Sequence, residues 1–285
     1  MNNLVTVFFW LALIAAAASA IFYVRNFFAE GESDRLESLS SDLGVAAFAL
    51  LSASLVVKWL YFGLTEFGIQ FGTRAVYALC LLGAYLISES LYAGRMPRIK
   101  AAGMLVMPAV LVLQFWAWAG YGLEYTITPA LKSVWVVVHV LLALLAYGAL
   151  TVALAAAVLQ IVEENRLKKK KRLGRVFRKF PPLETLDSLA YKATSVSFLF
   201  LTLVIITGAL RAQMLPAWQA WYSDPKILSA VVTWAVFGGY IAGRLFLGWR
   251  GRRASAAIIV GFLAALFTYF VNYILPSIHN YGSGF

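Results

Sequence analysis

The sequence predicts an all-α integral membrane protein of about eight transmembrane helices. Three observations carry that expectation. Hydrophobic residues make up 62% of the 285-residue chain and charged residues only 13%, against about half and about a quarter in soluble domains. The apolar residues gather into blocks of roughly 15 to 30, enough to cross a ~30 Å hydrocarbon layer at ~1.5 Å per helical residue. Lys and Arg concentrate in alternate loops between those blocks, as membrane topology requires.

In chain order, helices are expected at Leu4–Val24, Val45–Tyr61, Ala75–Leu91, Met104–Trp118, Ser133–Val162, Leu189–Arg211, Ile227–Leu247 and Ala254–Ile274. The first block ends in small residues, Ala15–Ala20, that resemble a signal-peptide clip site. No basic residue precedes it, however, and Arg25 follows it, the reverse of a signal peptide, so it is read as a helix. Pro181 and Pro182 stop any helix ahead of the sixth span. Asp224-Pro225 turns into the seventh, where the carboxylate suits a helix N-terminus. Only Gly248 to Arg253 separates the last two, which makes them antiparallel neighbours. The chain divides into a four-helix region, 1–132, and a second region, 133–285. No internal repeat is evident.

Orientation follows from the basic residues. One alternate set of loops holds seventeen Lys and Arg, nine of them between Arg166 and Lys179; the other holds three, Arg74, Lys132 and Lys226. Because cytoplasmic loops carry the basic excess, both termini are expected on the outer (periplasmic) side, with the loops near 62–74, 119–132 and 213–226. The same argument accounts for the net charge of +11 without a nucleic acid. The segment Glu163–Phe180 reads as a positive-inside anchor that can also meet anionic lipid or an acidic partner. Cys80, the single cysteine, lies in an apolar block with no partner for a disulfide or a metal site.

The two histidines, His139 and His279, fall on the same outer side. His139 is six residues into the fifth span, about 9 Å below that surface by helical rise. His279 is five residues beyond Ile274. Two imidazoles in one leaflet can ligate a metal or a haem iron from opposite faces, or can simply hydrogen-bond backbone at the interface. They are too few for a structural zinc site. The outer segment Leu215–Lys226 adds Trp218, Trp221 and Tyr222, flat surfaces that serve equally in an aromatic belt. Trp116 and Trp118 end the fourth span there and Trp135 opens the fifth, so one outer pocket with many aromatic walls is expected.

Among the charges within spans, Lys58 is read as snorkelling, as are Arg211 and Arg244 near their helix ends. Arg211 is on the outer side, where a guanidinium matches a carboxylate such as a haem propionate. Glu89 lies near the inner end of the third span. There is no CxxCH, Walker A, GxSxG or HExxH sequence, so a c-type cytochrome, an ATPase and a self-contained hydrolase are not expected.

Five stretches carry a family resemblance: Val138–Tyr147 beginning VHVLLALL, Pro181–Asp187, Asp224-Pro-Lys226 followed by Thr233-Trp234, Gly248–Arg252, and Ile278-His-Asn-Tyr281. They cover roughly 133–285 in the order found in the CcsA/CcmC/HemX-type cytochrome c assembly proteins, which this region resembles. The first four spans match in hydropathy alone. The family is one of polytopic haem handlers with a tryptophan-rich outer loop between two histidines. The resemblance implies that His139 and His279 are axial ligands of a non-covalent haem b, that Trp218, Trp221 and Asp224 cradle it, and that Arg211 and Trp135 line the same site.

The loop departs from the WGxYWxWDPKE pattern of synthesis members: Ala220 stands for the Tyr, Ser223 for the Trp before the Asp, and Ile227 for the Glu. No histidine remains for an earlier span, so an inner-leaflet haem on this chain's own histidines is not expected. These departures lean toward the HemX-like branch. The expected function is outer-face haem binding for cytochrome c assembly or haem delivery, by an assembly factor rather than a self-contained enzyme, in a bacterial cytoplasmic membrane. Its partners would be a membrane protein with a large outer domain or an apocytochrome c. The alternative is a regulator that touches a haem-biosynthesis enzyme through the basic cytoplasmic loop.

Overall fold

A computed structural model describes residues 2–28, 34–63, 70–93, 97–122, 133–168, 179–212, 222–277 and 279. Those residues form eight α-helices, all long and apolar enough to cross a membrane. They are α1 (Asn2–Phe28), α2 (Asp34–Phe62), α3 (Gln70–Ala93), α4 (Gly103–Ala119), α5 (Val134–Lys168), α6 (Leu183–Ala212), α7 (Pro225–Phe246) and α8 (Gly251–Ile274), with a 3-10 turn at Pro97–Ala102 before α4. The chain is a multi-pass, all-helical membrane protein.

The helices outrun the apolar blocks that announced them. α2 starts eleven residues ahead of Val45 and α6 six ahead of Leu189, because polar residues at these ends find partners inside the bundle. Ser40 offers its carbonyl to the Ser19 hydroxyl at 2.7 Å, and Ser41 bonds the Glu89 carboxylate. α6 begins directly after Pro182, whose carbonyl takes the Leu186 N–H at 3.1 Å; a proline pair suits a helix start, where N–H groups have no partner anyway.

α5 is the hub. It packs against α3, α4, α6 and α8, while α1 lies along α2 and α4, and α7 against α8. Small residues allow the close approaches: a Cβ on Gly148 of α5 would sit 2.9 Å from the Cys80 carbonyl of α3. One hydrophobic core therefore runs from Phe9 and Phe71 through Val152 to Ile258, across the chain's midpoint.

Two charged residues expected at the edges are built into the interior. Glu89 is 5% exposed and accepts hydrogen bonds from Tyr23, at 2.5 Å, and Ser41, joining α1, α2 and α3. Arg244 does not simply snorkel. It bridges both oxygens of Asp187 at 2.8 and 2.9 Å and donates to the Trp249 carbonyl at 2.9 Å. The Gly251 N–H also reaches Asp187, at 3.2 Å. The α7–α8 turn that permits this needs positive φ at Gly248 (64°) and Gly251 (59°), a conformation that costs an L-residue about 1–2 kcal/mol. Lys58 stands over the Phe71 ring at 4.2 Å.

Replacing Arg244 by Ala leaves the Asp187 carboxylate short of its charged donor and should cost about 1.5–3 kcal/mol. A lower thermal unfolding midpoint in detergent checks this, and an Asp187→Ala/Arg244→Ala double variant should lose less than the two single losses combined.

Candidate functional site

His139 sits on α5 one turn beyond Trp135, and both side chains settle on the same spot of α6. The His139 Nδ1 lies 3.0 Å from the Thr207 hydroxyl, and the Trp135 indole N–H donates to the Thr207 carbonyl at 3.0 Å. The Thr207 hydroxyl itself donates to the Leu203 carbonyl at 2.8 Å. Gly208 lets the imidazole lie flat against the helix, since a Cβ there would come 3.0 Å from His139 Cε1. With Nδ1 engaged by Thr207, Nε2 is the nitrogen left for a ligand. Arg211, in the last turn of α6, is four residues past Thr207 and so lies above it on one helix face.

Across from this wall stand the start of α7 and the chain after α8. Asp224 caps α7: one carboxylate oxygen accepts the N–H groups of Lys226 and Ile227, each at 3.0 Å. The other oxygen takes the Ser277 hydroxyl at 2.9 Å, and Ser277 in turn accepts the His279 N–H at 3.1 Å. His279 Nδ1 is thereby held 3.7 Å from Asp224, whose side chain is 2% exposed against 27% for the imidazole. Lys226 reaches Asn272 of α8 at 3.0 Å. His279 and Lys226 both come near His139.

Between the two walls the helices are loosely packed. No residue of α5 is buried before Leu144, none of α6 from Phe198 to Arg211, and none of α7 from Pro225 to Val232. Helices packed on one side would show a buried stripe every three or four residues, as α5 and α6 do farther in and α8 does as far as Val271. α6 and α7 meet deeper, where Trp234 stacks on Phe198 with centroids 5.6 Å apart and donates to Thr202 at 2.9 Å. At this end of the bundle the described residues of α5, α6 and α7 are thus partly buried or exposed, with His139 of α5 among them.

Of the residues expected here, His139, Trp135, Arg211, Asp224 and His279 gather at this end of the bundle. Trp218 and Trp221 lie outside the described residues. The expectation that Trp116 and Trp118 share one pocket with the histidines fails. Two positions apart on a helix, they point to different neighbours. Trp118 stacks on Phe9 and Tyr121, at 5.5 and 4.6 Å, while Trp116 meets Phe270 at 5.5 Å and lies under the Arg74 guanidinium at 4.3 Å. Sequence reasoning missed Thr207, Gly208, Asn272 and Ser277, which are ordinary residues made significant only by what they touch.

The donor set limits what can bind. Among the described residues no group of three or more His, Cys, Asp or Glu side chains could hold a bare metal ion. Two imidazoles at one end of an apolar bundle instead suit a flat cofactor that brings its own equatorial ligands.

A family model for cytochrome c assembly proteins matches residues 67–279, taking in α3 and α4 as well as the C-terminal region. The chain is 30% identical over 239 residues to the cytochrome c biogenesis protein CcsA of Chlamydomonas reinhardtii, an alignment covering 82% of this chain but 65% of that relative, less than two thirds of its length. It is 32% identical over 272 residues to CcsA of Synechococcus strain RCC307, covering 84% and 83% of the two chains. With CcsA of Synechococcus strain WH7803 it shares 29% identity over 314 residues, covering 87% and 97%.

Asp224→Ala removes the cap of α7 and the tie to Ser277 and should cost about 1–2 kcal/mol. Asp224→Asn keeps an oxygen for the two N–H groups and should unfold close to the wild type in the same detergent thermal scan.

Proposed function

This chain belongs to the cytochrome c assembly protein family, and from that premise we propose that it holds haem b without covalent attachment in the outer cleft and serves cytochrome c biogenesis. His139 and His279 would hold the haem iron. Trp218, Trp221 and Trp135 provide apolar surface for the ring, and Arg211 pairs with a propionate. The observation that supports the reading is that both imidazoles come to the same end of the bundle, His139 held by Thr207 and His279 beside Asp224.

Bound haem supplies the iron and the vinyl groups to which an apocytochrome's cysteine thiols add. The rest is done by the chain itself. Thr207 and Gly208 fix the His139 ring, leaving Nε2 toward the cleft. Ser277 and Asp224 hold His279. The splayed outer ends of α6 and α7 keep the site open to a partner: an apocytochrome c, or a membrane protein with a large outer domain. Region 133–285 carries the site and region 1–132 braces α5 from behind through α3 and α4. The reading sets the protein in a bacterial cytoplasmic membrane with both termini and the cleft facing outward, an orientation supported by the basic loops. The lean toward a HemX-type regulator is not favoured, since the relatives described above carry the cytochrome c biogenesis name.

Three results test this. Purified wild type supplied with haem should give a reduced, low-spin b-type spectrum, and His139→Ala or His279→Ala should abolish it or convert it to high spin; a wild type that takes up no haem ends the proposal. Gly208→Leu, which drives a side chain into the His139 ring, should weaken haem binding at least tenfold in a spectral titration while leaving the protein folded. A cysteine placed at Ser283 should react with a membrane-impermeant maleimide on intact spheroplasts; labelling only after lysis would reverse the orientation.

A further inference from the structure

The two histidines are held by chemically unlike partners. His139 faces neutral partners, the Thr207 hydroxyl, itself committed to the Leu203 carbonyl, and the Val204 backbone. His279 faces a carboxylate. Asp224 is held in one orientation by three donors, the Lys226 and Ile227 N–H groups and the Ser277 hydroxyl, and is almost wholly removed from solvent. Its oxygen stands 3.7 Å from His279 Nδ1, and Ser277 fixes the backbone of that histidine.

We infer that Asp224 is a positioning residue that acts through His279, so that His279 is the fixed, electron-rich axial ligand and His139 the weaker one. This rests on the haem reading above and deepens it. The loop aspartate need not touch haem at all. It caps α7, and the same carboxylate stands 3.7 Å from His279 Nδ1, too far for a hydrogen bond but close enough for its charge to act on the ring. A negative charge beside a metal-bound imidazole raises its basicity. In a dry, low-dielectric setting that charge acts with little screening. Greater donation stabilises ferric over ferrous iron, so the carboxylate lowers the reduction potential. The hydroxyl behind His139 carries no charge and supplies no comparable donation.

The test is a potentiometric titration of haem-loaded protein in detergent, followed by the visible spectrum, for wild type, Asp224→Asn, Thr207→Val and Ser277→Ala. Asp224→Asn keeps the cap, so a purely structural role predicts an unchanged potential. The inference predicts a shift to more positive values, larger than that of Thr207→Val. Ser277→Ala, which retains the charge but frees the tail, should raise the high-spin fraction of ferric haem. If Asp224→Asn retains the wild-type potential, or moves no more than Thr207→Val, the inference is overturned while the haem site stands. Should Asp224→Asn not fold, a Ser277→Ala protein with unaltered spin state and potential overturns it instead. A wild type without haem removes the site itself, and the inference with it.

Discussion

Everything in this chain answers to the absence of water in the bilayer core. A backbone N–H or C=O left unpaired there costs several kcal/mol, so each crossing must satisfy its own hydrogen bonds as a helix. With lipid on all sides, packing between helices gains little from the hydrophobic effect and depends on small residues and polar ties instead. Gly148 against Cys80, the Glu89 carboxylate between Tyr23 and Ser41, and Arg244 on Asp187 are such ties. The two polar ties lie toward helix ends, because there a polar group can be paired at one side and approach water at the other.

The same economy explains why the bundle is uneven. One end is closed by the Asp187–Arg244–Trp249 network, which binds α6, α7 and the start of α8 together. At the opposite end the described ties join Thr207 of α6 with His139 and Trp135 of α5, and Asp224 before α7 with Ser277 after α8. The single carboxylate of Asp224 then serves two purposes, as cap for α7 and as partner of His279, which ties the stability of the helix to the placement of the ligand.

The existence and number of the helices, and the resemblance to a known family, were legible in the amino-acid sequence because both are carried by local signals: unbroken apolar blocks, alternating basic loops and short motifs in a set order. Helix ends were not, since α2 and α6 extend through polar residues whose partners lie up to dozens of positions away. Asp224 as a cap was legible from Asp-Pro at a helix start. The pair Trp116 and Trp118 misled, because closeness in sequence says nothing of which neighbour each side chain meets.

The sequence by itself determined that this chain must be a bundle of membrane-crossing helices and named two histidines as the chemistry worth watching, because hydropathy and residue type are properties of single positions. Only the tertiary structure decided that the two imidazoles come to the same end of the bundle, that His139 rests on Thr207 and Gly208, and that His279 stands beside Asp224. Those are relations among α5, α6, α7 and the residues after α8, set by how the inner halves pack, and no local pattern encodes them.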